Sequence, residues 1–178
     1  MKRLAIDGEV KQRLKREPQI LSKLSRQTVR LSQIEDIGGC RVIVPSVADV
    51  RAVQQEVASS KRSSTKVTKI DDYIAHPRPG GYRAVHLHTV RDGMKIEIQL
   101  RTKWQHMWAE EIERFDREFG TDLKHERGPQ AVYEAFKILA DLRDYYDQNR
   151  PVPSELQVRF QESRRTLQEL FPRGVMTP

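Results

Sequence analysis

The sequence predicts a mixed α/β domain in which a small mixed β-sheet is flanked by helices. Three observations carry this. RAVHLHTV and MKIEIQLR alternate apolar and polar residues on either side of Arg91-Asp92-Gly93, and Asp-Gly is a strong two-residue hairpin turn. CRVIVP, 40–45, is a short β-branched run stopped by proline. Several stretches around these show apolar residues at helical spacing, so strands and helices share one core.

Taken in order, residues 9–31 read as helical, with a break or restart at Pro18, which suits a helix's first turn. CRVIVP follows as a buried strand. Ser46 then caps a helix to about Ala58, with Val47, Val50, Val53 and Val57 on one side. SSKRSST, 59–65, is a polar loop, and Lys66 to Tyr73 reads as a further strand. HPRPGGY, 76–82, holds two prolines and two glycines and excludes regular structure. The hairpin spans 83–101. Trp104 to Phe119 and residues 128–149 are helices, and Pro151 and Pro153 precede a last one from about Ser154 to Phe171.

A chain of 178 residues is one domain by size, here read as 1–178. Its 32 Lys and Arg against 25 Asp and Glu leave +7, which favours nucleotides, nucleic acid or acidic membrane surfaces as partners. The single cysteine, Cys40, excludes an internal disulfide and a cysteine-based zinc cluster. No apolar run approaches membrane-spanning length, and the basic start has no hydrophobic signal core. The expectation is a cytoplasmic protein with no membrane partner.

The hairpin gathers polar groups. With Asp92 and Gly93 in the turn, Arg91 faces Met94, Leu87 faces Ile98 and Val85 faces Leu100, building an apolar face. The other face sets His88 opposite Glu97, His86 opposite Gln99 and Ala84 opposite Arg101. By itself this pattern also fits a hydrated outer face with cross-strand ion pairs. A second cluster weighs against that. On a helix from Pro18, the residues Gln19, Lys23, Arg26 and Arg30 share one face, with Arg13 and Lys15 upstream. Stacked like charges need an anion, and a polyphosphate suits them, although a solvated basic face is the plainer reading. There is no Walker loop.

These residues resemble a known family. RLKREPQILSK, EDIGGCRV, DDYIAHPRPGGYRAVHL and EIQLRTKWQHMWAEE are similar to the successive motifs of the RelA/SpoT-type synthetase domain, from about Arg13 to Glu113. The resemblance implies a nucleotidyltransferase-like fold and transfer of a pyrophosphoryl group from ATP to the 3′-hydroxyl of GDP or GTP, giving (p)ppGpp. No HDxxED-type hydrolase motif is present, so the expectation is a small, synthetase-only member with C-terminal helices at about 128–171.

The resemblance also implies roles. Arg13, Lys15, Lys23, Arg26 and Arg41 fall on positions that hold the ATP donor. Asp36 and Glu97 fall on the magnesium site, with Glu97 the candidate general base. Tyr82 falls on the aromatic that stacks on the acceptor base, with Arg83, His86, Gln99, Arg101, His106 and Glu110 flanking the acceptor. Gln19 stands where a serine is common, and Asp71 where a lysine is common. Relative to small alarmone synthetases, the N-terminal helical extension is short. An alternative keeps the chemistry and changes the acceptor to the 3′ end of tRNA, as in toxin members, and would bring an antitoxin partner. A non-catalytic binding module is a third reading, against which the retained Asp36 and Glu97 argue. The resemblance leaves room for a homo-oligomer.

Overall fold

The computed structural model describes residues 4–14, 38–59, 64–123 and 127–171. Its elements run β1 (Glu9–Leu14), β2 (Gly38–Val44), α1 (Val47–Ser59), β3 (Thr65–Asp72), β4 (Val85–Arg91), β5 (Met94–Thr102), α2 (Lys103–Phe119), α3 (Gln130–Asp147) and α4 (Ser154–Leu170). They divide into two compact units: residues up to Asp72 with Ala84–Arg101, and Tyr73–Arg83 with the residues from Thr102 onward.

The first unit is built on a five-stranded sheet in the order β1-β2-β5-β4-β3, so the strand carrying Glu97 lies at its centre. The β4–β5 register is the one the turn dictates: Arg91 pairs with Met94, Leu87 with Ile98 and Val85 with Leu100. Asp92 and Gly93 take φ of 51° and 78°, the two left-handed positions of a type I′ turn. α1 packs against β2, β3 and β4. Its Val50 and Val53 are buried with Val42, Ile43, Val44, Val85, Leu87 and Leu100. Ser46 caps this helix, its Oγ accepting from Asp49 N and donating to the Asp49 carboxylate. Arg51 on α1 donates twice to Asp72 at the end of β3, at 2.6 and 3.2 Å.

One element departs from the sequence reading. Residues 9–14 form not a helix but a strand, antiparallel to β2, with Arg13 opposite Gly39. EVKQRL is rich in helix formers, yet it also alternates, with Val10, Gln12 and Leu14 set against Glu9, Lys11 and Arg13. Backbone pairing with β2 outweighs a local preference worth only tenths of a kcal/mol per residue.

The second unit is a helical body. Thr102 caps α2 in a reciprocal capping box with Gln105, and Gly120 closes the helix in the left-handed conformation. Trp108, Ile112 and Phe115 of α2 share a buried core with Val132, Phe136 and Leu139 of α3 and with Phe160 and Leu167 of α4. The Trp108 indole donates to the Phe136 carbonyl at 2.8 Å. Arg143, 2% exposed, is matched by a fork of two 3.0 Å contacts to Glu111.

Candidate active site

In the first unit the polar face of the hairpin is buried, not hydrated: His86 is 8% exposed, Glu97 7%, Gln99 3% and Arg101 3%. Buried polar groups are costly unless paired, and these are paired. His86 Nδ1 lies 2.8 Å from Glu97 Oε1. Gln99 Nε2 donates to Glu97 Oε2 at 2.8 Å, and Arg101 Nη2 donates to Gln99 Oε1 at 2.9 Å. An ionised carboxylate only accepts, so when Glu97 is ionised the proton between the two sits on His86 Nδ1. Both carboxylate oxygens are therefore held, one from each strand of the hairpin.

His88 faces Glu97 in register but bonds elsewhere, its Nε2 2.9 Å from Asp71 Oδ2 on β3. Lys69 lies 2.8 Å from the other oxygen of Asp71. The Lys69 hydrogen bond, aided by His88, holds the Asp71 carboxyl below its usual range. Asp71 is thus a carboxylate already paired with a lysine and a histidine.

β2 brings in Gly38, Gly39 and Arg41, the last half-buried. A side chain at Gly39 would run into the carbonyl oxygen of Glu97, whereas one at Gly38 would meet nothing within 4 Å. The close approach of β2 and β5 is thus made at Gly39 and not at Gly38. Arg13 has its backbone in β1, and Lys15, Lys23, Arg26, Asp36 and Gln19 lie outside the described residues.

The second unit carries the remaining predicted acceptor residues. Tyr82 is half-buried, edge-on to Tyr73 at 5.8 Å and tilted against Trp108 at 6.1 Å. The Arg78 guanidinium lies 4.4 Å from the Tyr73 ring centre and 5.7 Å from that of Tyr82, and donates to the Tyr73 hydroxyl at 2.7 Å. Sequence reading passed over Arg78; a lone cation between two tyrosines in a Pro/Gly-rich loop is the signal that could have found it. Gly81, at φ 88°, has no room for a side chain because Ala140 Cβ would sit 2.5 Å away. Arg83 is tied to Asp141 at 3.0 Å, to Asp144 at 3.5 Å and to the Gly81 carbonyl, bracing this loop on α3. His106, buried, lies 3.3 Å from the largely exposed Glu110 one turn along α2.

Among the described residues no group of three or more His, Cys, Asp or Glu is arranged to hold a metal ion. None of the described helices is long and apolar enough to cross a membrane.

Comparison with known proteins identifies the family. Residues 12–115 match the profile of the region found in RelA/SpoT proteins. The chain belongs to the RelA/SpoT family. A GTP pyrophosphokinase of Photobacterium angustum is 32% identical over 111 residues, which are 62% of this chain and 15% of that protein. GTP pyrophosphokinase YwaC of Bacillus subtilis is 28% identical over 152 residues, 78% of this chain and 69% of that one. Small alarmone synthetase 2 of B. subtilis superposes with a TM-score of 0.72 at 26% identity, covering 88% of this chain and 82% of its own. The sheet and helices thus share the nucleotidyltransferase-like fold of the small alarmone synthetase structures. The chain spans only 15% and 16% of the length of the first curated relatives it matches.

Proposed function

We propose that this chain is a GTP pyrophosphokinase, moving the β,γ-pyrophosphoryl group of ATP to the 3′-hydroxyl of GDP or GTP. The observation that carries the reading is Glu97: a buried carboxylate on the central strand, inside EIQLRT, braced by His86 and Gln99. The relatives named GTP pyrophosphokinase support the same reaction class.

In this reading the acceptor's 3′-oxygen bonds to the β-phosphorus of ATP, the bond from that phosphorus to the α,β-bridging oxygen breaks, and AMP leaves. The hydroxyl proton passes to Glu97. His86 pairs with one Glu97 oxygen and Gln99 donates to the other, which holds the carboxylate in place as a base. Arg13, Lys15, Lys23, Arg26 and Arg41 serve the donor's phosphates and base, Tyr82 stacks on the acceptor base, and Arg83, His86, His106 and Glu110 serve the acceptor. Glu97 offers hard oxygens of the kind magnesium takes, and Asp36 is its proposed companion. A bound magnesium would neutralise phosphate charge as the bond transfers. The setting is cytoplasmic.

The test is to incubate γ-labelled ATP separately with GDP, GTP and deacylated tRNA. Label on GDP or GTP supports the reading. Label on tRNA alone replaces it with the toxin-type reaction.

A further inference from the structure

We propose that Gln99 is a positioning residue: it orients the Glu97 carboxylate, and Arg101 in turn orients Gln99. The proposal rests on the reading of Glu97 as the base. Glu97, Gln99 and Arg101 occupy alternate positions of β5 and so share one face, and none is more than 7% exposed.

A glutamine amide has a donor end and an acceptor end of nearly the same shape, so its direction is set by its neighbours. Arg101 can only donate, and its Nη2 meets Gln99 Oε1 at 2.9 Å. The other end is therefore the NH2 group, and it donates to Glu97 Oε2 at 2.8 Å. The arginine thus decides that glutamate receives a donor rather than a second acceptor. His86 holds the remaining oxygen from β4. The terminal torsion of a glutamate is broad when left alone. Two braces from two strands fix the carboxylate plane, which is what a base needs in order to meet a hydroxyl proton in line.

A role in touching the acceptor, the one implied by family resemblance, makes a different prediction, and kinetics separate them. The experiment compares wild type, Gln99→Met and Gln99→Glu in steady-state transfer from ATP to GDP, with a melting curve for each. A misaimed base should cost kcat roughly tenfold to a hundredfold, while the apparent KM for GDP stays within about twofold. Gln99→Glu, nearly identical in shape, should be the worse of the two because it turns an acceptor and a negative charge on Glu97. A raised KM for GDP with kcat unchanged overturns the proposal and makes Gln99 an acceptor contact. Loss of kcat no worse in Gln99→Glu than in Gln99→Met also overturns it, since packing alone would give that result.

A second measurement does not depend on turnover. In the 15N-labelled chain, the Gln99 side-chain amide protons should shift on Glu97→Gln substitution and exchange slowly with solvent in wild type. An amide that ignores Glu97 overturns this proposal alone. An amide that responds, in a wild-type chain that labels neither GDP nor GTP, overturns the activity reading alone.

Discussion

His86 bonds diagonally across the β4–β5 ladder: its register partner is Gln99, yet its Nδ1 lies 2.8 Å from Glu97 Oε1. Diagonal neighbours on a sheet are about 7–8 Å apart at the backbone, within reach of a long side chain. The diagonal leaves Gln99 free to turn along its own strand toward Glu97, and leaves His88, the register partner of Glu97, to pair with Asp71. One carboxylate thereby draws donors from both strands.

Replacing Glu97 by Gln should lower pyrophosphoryl transfer at least roughly a hundredfold, the scale of a lost general base. The fold should survive. The new amide can present its oxygen to Gln99 and its NH2 to His86, which accepts on Nδ1 by exchanging tautomers. Turnover by labelled-ATP assay and a melting curve on the same sample check both halves. Near-full turnover would remove Glu97 from the role of base.

Gly39→Ala and Gly38→Ala form a matched pair. An alanine methyl at 39 meets the Glu97 carbonyl, so β2 must move away from β5 at the strand position that carries the base. Overpacking of this kind costs roughly 1–3 kcal/mol, and activity should fall with it. The neighbouring substitution points into open space and should be close to silent in both melting and turnover. Equal effects at the two positions would mean that strand approach is not what Gly39 provides.

The hairpin was legible in the sequence because Asp92-Gly93 selects one turn, and period-two alternation then fixes every partner from Arg91–Met94 to Val85–Leu100. The helix from Ser46 and those around Trp108, Phe136 and Phe160 were legible for the same reason, a sustained period with punctuation at its ends. Burial of the polar face was not legible. Alternation says that His86, Glu97, Gln99 and Arg101 share a side, and a solvated side has the same pattern. β1 was missed because six residues of Glu, Lys, Gln, Arg, Val and Leu satisfy either period, and only the partner strand decides.

Asp147 supplies a pH test. Burial, with the nearby Asp144 charge adding to it, pushes its carboxyl up to about 6, against the hydrogen bond from Thr102 and the charge of Arg83. The ordinary value is 3.8. Between those values the folded chain keeps a proton that the unfolded chain has lost, so this group's contribution to stability falls as pH rises through the window and is level above it. Asp147→Asn stays neutral and can still accept from Thr102 Oγ, which donates to Asp147 at 2.7 Å. The variant should melt higher than wild type at neutral pH, with the difference shrinking as the pH is lowered toward about 4. A difference that is constant across that range would show that Asp147 does not titrate in the folded chain as its surroundings require.

Tyr82 should show two separable effects. Its ring packs against Tyr73 and Trp108 on the edge of the helical core, so Tyr82→Ala loses packing and should melt lower than wild type. As the proposed platform for the acceptor base, the same variant should also raise the apparent KM for GDP, since one stacked base is worth about 1–3 kcal/mol. Tyr82→Phe keeps the ring, its contacts with Trp108 and the face on which a base would lie, and should be nearly silent in both measurements. Measuring KM for ATP alongside KM for GDP separates the roles: a stacking platform for the acceptor moves the second and spares the first, whereas general damage to the core moves both together. A Phe variant as defective as the Ala variant would transfer the role from the ring to the hydroxyl.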